Sequence, residues 1–307
     1  MKQTVVTGLS AASLVLASGL VWAAGQYGPG ASDTEIKIGN TVPYSGPASA
    51  YGTIGKSEAA YFAMINDQGG INGRKVNFIS RDDSYSPPKT VEVVRKLVEE
   101  DQVLLMFGTL GTPPNTAIQG YLNDNKVPQL FVTTGANKWN DPKHHPWTMG
   151  WIPTYQTEAR IYARYILKTL PDAKIALLYQ NDDFGKDYLI GLRGGLGDKA
   201  DKMIIATKTY ETTDPTVDSQ IVALQASGAN VLVSAVIPKF PLRPFARSPI
   251  SDGSRRFFSA CQATRLERLC GRPDPKRASA LSRHPSTKIP PTSSGKILLI
   301  TRNGWPG

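Results

Sequence analysis

The chain has 307 residues, enough for two domains of ordinary size that each bury a core. Its formal charge of +10 is unevenly spread: residues 1–238 carry 21 Lys+Arg against 22 Asp+Glu, net −1, while residues 239–307 carry 14 against 3, net +11. That distribution excludes a basic surface over the first three quarters of the chain, and both cysteines, Cys261 and Cys270, lie in the basic part, so the region before it needs no disulfide.

Lys2 precedes an apolar stretch from Val5 to Val21, and Val21-Trp22-Ala23 has a small-x-small cleavage pattern. Residues 1–23 therefore read as a secretory signal peptide cut near Ala23 or Ala24. An uncleaved anchor is the alternative, but the apolar core is shorter than the ~20 residues a span needs. No later segment is apolar enough to cross a bilayer. After a Gly/Pro/Ser linker over 24–32, Glu35 to Gly39 alternates as a strand and runs into the rigid turn Pro43-Tyr44-Ser45-Gly46-Pro47. A helix from about Tyr51 to Gln68 follows, with Ala59, Ala60, Ala63 and Met64 at helical spacing, and Gly69-Gly70 stops it.

The strand, loop and helix unit recurs. Lys75 to Ile79 is a strand, Asp82-Asp83-Ser84 a loop, and Pro88 to Glu100 a helix with Val91, Val94, Leu97 and Val98 on one face. Val103 to Phe107 is a continuous apolar run suited to a strand covered on both faces. Gly108 to Asn115 is a small-residue loop, Thr116 to Asn123 a short helix, and Pro128 to Val132 a strand. Beyond Gly150 a second series alternates helix and strand: 157–170, 174–179, 187–196, 203–207, 216–226 and 231–236. Such alternation implies parallel sheets flanked by helices. The simplest division is a first lobe over 33–150, joined near Trp151-Ile152-Pro153 to a second over 151–238.

Beyond Pro238 regularity fails. The last 69 residues hold ten Arg, nine Pro and nine Ser, and proline at that density forbids a continuous helix or central strand. Phe257-Phe258 and Ile297 to Ile300 are isolated apolar fragments, so little ordered structure is expected over 239–307.

No combination of His, Cys, Ser and acid suggests a catalytic nucleophile. His144-His145 sits in a turn beside two prolines without a third metal ligand at sensible spacing. Gly194-Gly195-Leu196-Gly197 ends a helix and so fails the context of a nucleotide loop. Asp82-Asp83 and Asp182-Asp183 follow strands but lack calcium-loop spacing, which favours capping or hinge hydrogen bonds over a metal. No catalytic residue, metal or cofactor is called. The loops at the carboxyl ends of the first lobe's strands are better placed, because open parallel sheets bind ligands there. They carry Tyr44, Ser45, Thr109, Thr112, Thr133, Thr134 and Asn137, whose hydroxyls and nearby free N–H groups at helix starts suit a carboxylate. Taken one at a time, each of these residues reads first as a turn or helix-cap residue.

At these loops the sequence resembles a known family. Ile36-Lys37-Ile38-Gly39, Pro43 to Pro47 and Asn66-Asp67-Gln68-Gly69-Gly70-Ile71-Asn72-Gly73-Arg74 are similar to the opening of periplasmic binding proteins of the branched-chain amino-acid (leucine-binding) type. Gly108 to Asn115, Lys126-Val127-Pro128, Thr134 to Asn137 and Tyr179 to Lys186 continue the likeness in order from about Thr34 to Pro238. The resemblance implies an α/β fold of two lobes with a hinged cleft, the type I periplasmic binding protein, incomplete at its C-terminus. It also implies a monomeric, non-enzymatic binder in the periplasm that passes a small solute to the permease and ATPase subunits of an inner-membrane ABC importer, with no nucleic-acid partner. A sensory or regulatory binder of the same fold is the alternative.

Carried over residue by residue, the resemblance puts the ligand's carboxylate and ammonium against Leu110, Gly111 and Thr112 and against Gly135, Ala136 and Asn137. Phe184 stands where a tyrosine often covers the ligand, and Tyr155 and Glu158 lie at the crossing between lobes. Gly111-Thr112-Pro113-Pro114 replaces the usual serine-rich run and Asn137 the usual threonine, which leaves the ligand open among amino acids, short aliphatic or aromatic carboxylates and amides. The family's continuation past Pro238 is not visible. The Arg-, Pro- and Ser-rich text has the character of coding DNA read out of frame, so a frameshift near Lys239-Phe240 is expected in preference to a divergent tail. Translation of the other two frames distinguishes them.

Overall fold

The computed structural model describes residues 26–240 and the backbone of 256–259. The proposed signal peptide and most of the basic segment lie outside the described residues. Among the described residues no helix is long and apolar enough to cross a membrane.

The first sheet contains β1 (Glu35–Val42), β2 (Lys75–Asp82), β3 (Leu105–Phe107), β4 (Gln129–Val132) and β5 (Thr148–Gly150). Their spatial order is β2-β1-β3-β4-β5, and all pairs are parallel, with β1 and β2 in register from Glu35↔Lys75 to Val42↔Asp82. Side chains alternate across the pleat. Met106 packs with Val93, Val94, Leu97, Ile118 and Leu122 on one face, and Leu105 and Phe107 join Phe62, Ile38 and Val76 on the other. The helices α1 (Gly52–Asp67), α2 (Pro87–Arg95) and α3 (Thr112–Asp124) supply those covers. α2 opens on Pro87, whose missing N–H costs nothing in a first turn. α1 ends before Gly69 and Gly70, both at positive φ.

The second sheet has the order β7-β6-β8-β9, again parallel. It comprises β6 (Ile175–Gln180), β7 (Ile204–Tyr210), β8 (Val231–Ala235) and β9 (Arg256–Ser259). Ile175 and Leu177 face α4 (Tyr155–Thr169) and α5 (Asp183–Leu196), which bury Ile166, Tyr188 and Leu192 against them. Ala176 and Leu178 point the other way, toward Ile221 and Leu224 of α7 (Asp218–Ala226). A one-turn helix, α6 (Ala200–Met203), leads into β7. Thr154 caps α4 by accepting the Thr157 N–H at 3.2 Å, and Asp182 caps α5 by accepting the Gly185 N–H at 3.2 Å.

Several expectations change. The basic segment contributes β9, paired with β8 from Val231↔Arg256 to Ser234↔Ser259, where little order was expected. The Arg256 to Ser259 stretch contains no proline, so its backbone can complete a ladder along β8. α3 begins at Thr112, four residues early, because first-turn N–H groups have no helical partner and Pro113 and Pro114 lose nothing there. α5 likewise begins at Asp183, since Asp182 supplies the cap. β5 was not foreseen in its three residues, and the end of the second helix widens into a π turn over Lys96–Glu100. The stripe Ala59, Ala60, Ala63 and Met64 on α1 is exposed, and the helix instead sits down through Gly52, Gly55 and Phe62.

Candidate ligand-binding site

In the first sheet the chain runs from β1 outward to β2 and then returns to the other side of β1 as β3, so the loops after β1 and β3 diverge. Such a reversal leaves a crevice at the carboxyl ends of the strands. The second sheet repeats the arrangement between β6 and β8. Residues from both sheets meet at the crevice: Val42, Ala48, Tyr85 and Leu110 of the first share one apolar cluster with Ala176, Leu178 and Tyr210 of the second.

A chain of hydroxyls crosses this space. Thr112 Oγ1 lies 2.5 Å from Thr134 Oγ1, which lies 3.2 Å from the Tyr155 hydroxyl. Thr112 is the first residue of α3 and is buried, so the hydroxyl chain ends where first-turn N–H groups concentrate partial positive charge. The Tyr155 N–H donates to the Gly135 carbonyl at 2.7 Å, which ties the start of α4 to the loop after β4. The Tyr155 ring packs on Phe184 at 4.7 Å and on Tyr188 at 5.3 Å between centroids. Burial pushes the Tyr155 hydroxyl above the ordinary phenol range, so it stays protonated and can donate. Burial also pushes the Asp182 carboxyl up, against hydrogen bonds from Gln180 and the Gly185 N–H.

Two polar latches flank the aromatic group. The Asn137 N–H donates to Asp187 Oδ2 at 2.6 Å, Gln156 donates to Asp187 Oδ1 at 2.7 Å, and Lys138 pairs with Asp183 at 2.8 Å. An open groove of about 340 Å³ runs past Pro87, Thr112, Pro113 and Asp182-Asp183, so the first turns of α3 and α5 share it. Among the described residues no group of three or more His, Cys, Asp or Glu could hold a metal ion.

The structure thus brings Leu110, Gly111, Thr112, Gly135, Ala136, Asn137, Tyr155 and Phe184 to one place. Leu110 and Ala136 are buried as packing, whereas Gly111 holds φ +96° at the mouth of α3. Tyr44 and Ser45 sit at the edge of this region, Tyr44 against the apolar cluster that holds Tyr85 and Leu110 and Ser45 beside Ser84. Tyr44 packs over Gly52 and Gly55 and bonds Ser80 Oγ at 2.6 Å, and Ser45 Oγ donates to Asp82 at 2.5 Å. Asp82 and Asp182 act through hydrogen bonds and capping, as their position after strands suggested. Glu158 accepts from the Tyr162 hydroxyl and, at 2.6 Å, from that of Tyr188, beneath the aromatic group. Tyr85, Gln180 and Asp187 were not anticipated. The signal for Tyr85 is a lone aromatic in a small polar loop between a strand and a proline-led helix.

A profile described as "Periplasmic binding protein" matches residues 35–242. The chain belongs to the periplasmic binding protein family. The match ends just past Phe240, where the basic segment begins. The Leu/Ile/Val-binding protein homolog 1 of Brucella abortus (strain 2308) is 25% identical over 246 residues, covering 76% of this chain and 59% of its own length. A substrate-binding periplasmic protein from Ralstonia solanacearum aligns with a TM-score of 0.59 and 25% identity, over 66% of this chain and 56% of its own. A solute binding protein of an ABC transporter from R. palustris, in complex with benzoate, aligns with a TM-score of 0.57 and 18% identity, over 65% and 55% of the two chains. The periplasmic binding protein described here therefore spans little more than half the length of these relatives, and it shares with them the type I fold of parallel sheets about a cleft.

Proposed function

We propose that the chain is the substrate-binding component of an ABC importer, taking a branched-chain amino acid or a related small carboxylate or amide. The observation that carries this reading is the hydroxyl chain Thr112–Thr134–Tyr155, which joins a helix start of the first lobe to the aromatic group of the second. Hydroxyls and N–H groups at a helix start suit a carboxylate, and the faces of Tyr155 and Phe184 suit an apolar side chain or ring. The Brucella relative is named for leucine, isoleucine and valine, and the R. palustris structure holds benzoate. All are small carboxylates with an apolar remainder.

In this reading residues 33–150 and 151–238 are the two lobes, the leader 1–23 is removed on export, and the protein works in the periplasm as a monomer that docks on its permease. The site binds without performing chemistry. Closure follows from contacts on both lobes, since a ligand that touched one lobe alone would bind open and closed forms equally. Calorimetric titration of the purified chain with L-leucine, L-isoleucine, L-valine and benzoate tests the reading. Saturable one-to-one binding to at least one of them is expected, and the absence of heat or thermal shift with all four rejects it.

A further inference from the structure

Tyr85 occupies the space between the lobes. Ser84 and Tyr85 both hold positive φ, +53° and +60°, an unusual pair for residues with side chains. Two aspartates hold them there. Asp82 accepts the Ser84 N–H at 2.9 Å, and the buried Asp83 accepts the Tyr85 N–H at 2.9 Å and the Thr90 hydroxyl at 3.0 Å. The turn lays the ring over Gly111, against Val42, Ala48 and Leu110 of its own lobe and stacked on Tyr51 at 6.5 Å between centroids. A Cβ on Gly111 would stand 2.5 Å from Tyr85 Cε2, so glycine makes the seat. The hydroxyl end faces the second lobe, where the ring shares an apolar cluster with Tyr210 and has the Gln180, Asp182 and Tyr155 side chains as polar neighbours. Only 9% of Tyr85 is exposed.

A strained turn, a glycine seat and a polar stop at the far end together form a slot shaped for a phenol. We propose that Tyr85 is the specificity-determining residue of the cleft: from within the chain it fills a slot between Gly111 and Gln180 that otherwise takes an aromatic ring with a hydroxyl or carboxylate. With the phenol in place, the room left beside Thr112 favours a small aliphatic carboxylate over an aromatic one, so the aliphatic amino acids bind more tightly than benzoate. This inference rests on reading the interlobe space as the ligand site.

The test compares the full chain with Tyr85→Ala and Tyr85→Phe. Tyr85→Ala binds 4-hydroxybenzoate at least about tenfold more tightly than the unaltered protein, and added phenol raises its melting temperature while leaving that of the unaltered protein in place. Tyr85→Phe keeps the ring and gains neither property. A Tyr85→Ala protein that phenol fails to shift, or that binds 4-hydroxybenzoate no better than the unaltered protein, overturns the proposal. Should Tyr85→Ala fail to fold, Tyr85→Val retains part of the packing and is read the same way. Phenol rescue needs no natural ligand, so its outcome is separate from the titrations that test the transport reading.

Discussion

Asp187 on α5 accepts the backbone N–H of Asn137 at 2.6 Å, across the boundary between the two sheets. The same carboxylate takes the Gln156 amide at 2.7 Å and is only 8% exposed. Hydrogen bonds to a charged, shielded partner contribute about 1.5–3 kcal/mol. Asp187→Ala is therefore expected to lower the unfolding free energy by that amount, seen as a lower urea midpoint at unchanged slope. Asp183→Ala removes only the half-exposed pair with Lys138 and should cost less than about 1 kcal/mol. Equal effects from the two substitutions would remove Asp187 from its bridging role.

Gly111 combines a positive φ with the Tyr85 ring at the position of any added Cβ. Gly111→Ala is expected to destabilise by about 2 kcal/mol or more, part from backbone strain and part from displacing the ring. In a Tyr85→Ala background the second part disappears, so the cost of Gly111→Ala falls. Identical costs in the two backgrounds, measured as a double-mutant cycle, would show that the ring does not rest on this glycine.

Glu58 lies against the first sheet, where Asn40 donates to it at 3.1 Å, and burial pushes its carboxyl from 4.5 up to about 8. A carboxyl raised on folding is neutral in the native protein while still ionised in the unfolded chain, so the native state binds the extra proton. The stability it confers is complete below about 4.5 and is lost as pH rises toward about 8. Glu58→Gln keeps the hydrogen bond and has nothing to ionise. Its melting temperature should match the unaltered protein near pH 4.5 and exceed it increasingly up to pH 8. A constant difference across that range would contradict the assignment.

Asp82 behaves in the opposite sense. Burial pushes its carboxyl up, but hydrogen bonds from Ser45, Ser84 and Lys89 together outweigh that and hold it well below the usual carboxylate range. A depressed carboxyl stabilises the native state above its unfolded value near 3.8 and loses that contribution as pH falls further. Asp82→Asn should melt lower than the unaltered protein at neutral pH, with the gap narrowing in acid. Thermal melts from pH 7 downward check this, and a gap that widens in acid would count against it.

Much of the fold was legible in the residues themselves. Alternation marked β1 and β2, the glycines after α1 and α5 marked helix ends, and the order of motifs from Thr34 to Pro238 pointed to the family. These are local signals, carried within a few residues by the strand and helix periods. Boundaries were less legible at α3 and α5, because two prolines and two acids suit a loop and a first helical turn equally well.

In the proposed site, the loops at the ends of β3 and β4 are the ones topology points to, since ligand loops lie at strand ends. Tyr44 and Ser45 share that placement, and glycines on α1 and the carboxylate of Asp82 hold them at the edge of the interlobe cluster. Nothing near them in sequence announces those partners. Local residue patterns were enough to place β1 to β4 and β6 to β8 with their main helices, the distribution of charge and the family, but not β5 or β9. That Tyr85 packs against residues of both sheets and that Asn137 meets Asp187, 50 residues away, follows from how the folded chain comes together. Such contacts depend on how two sheets approach each other, and that approach is set by the packing of both surfaces together, which no single stretch of sequence encodes.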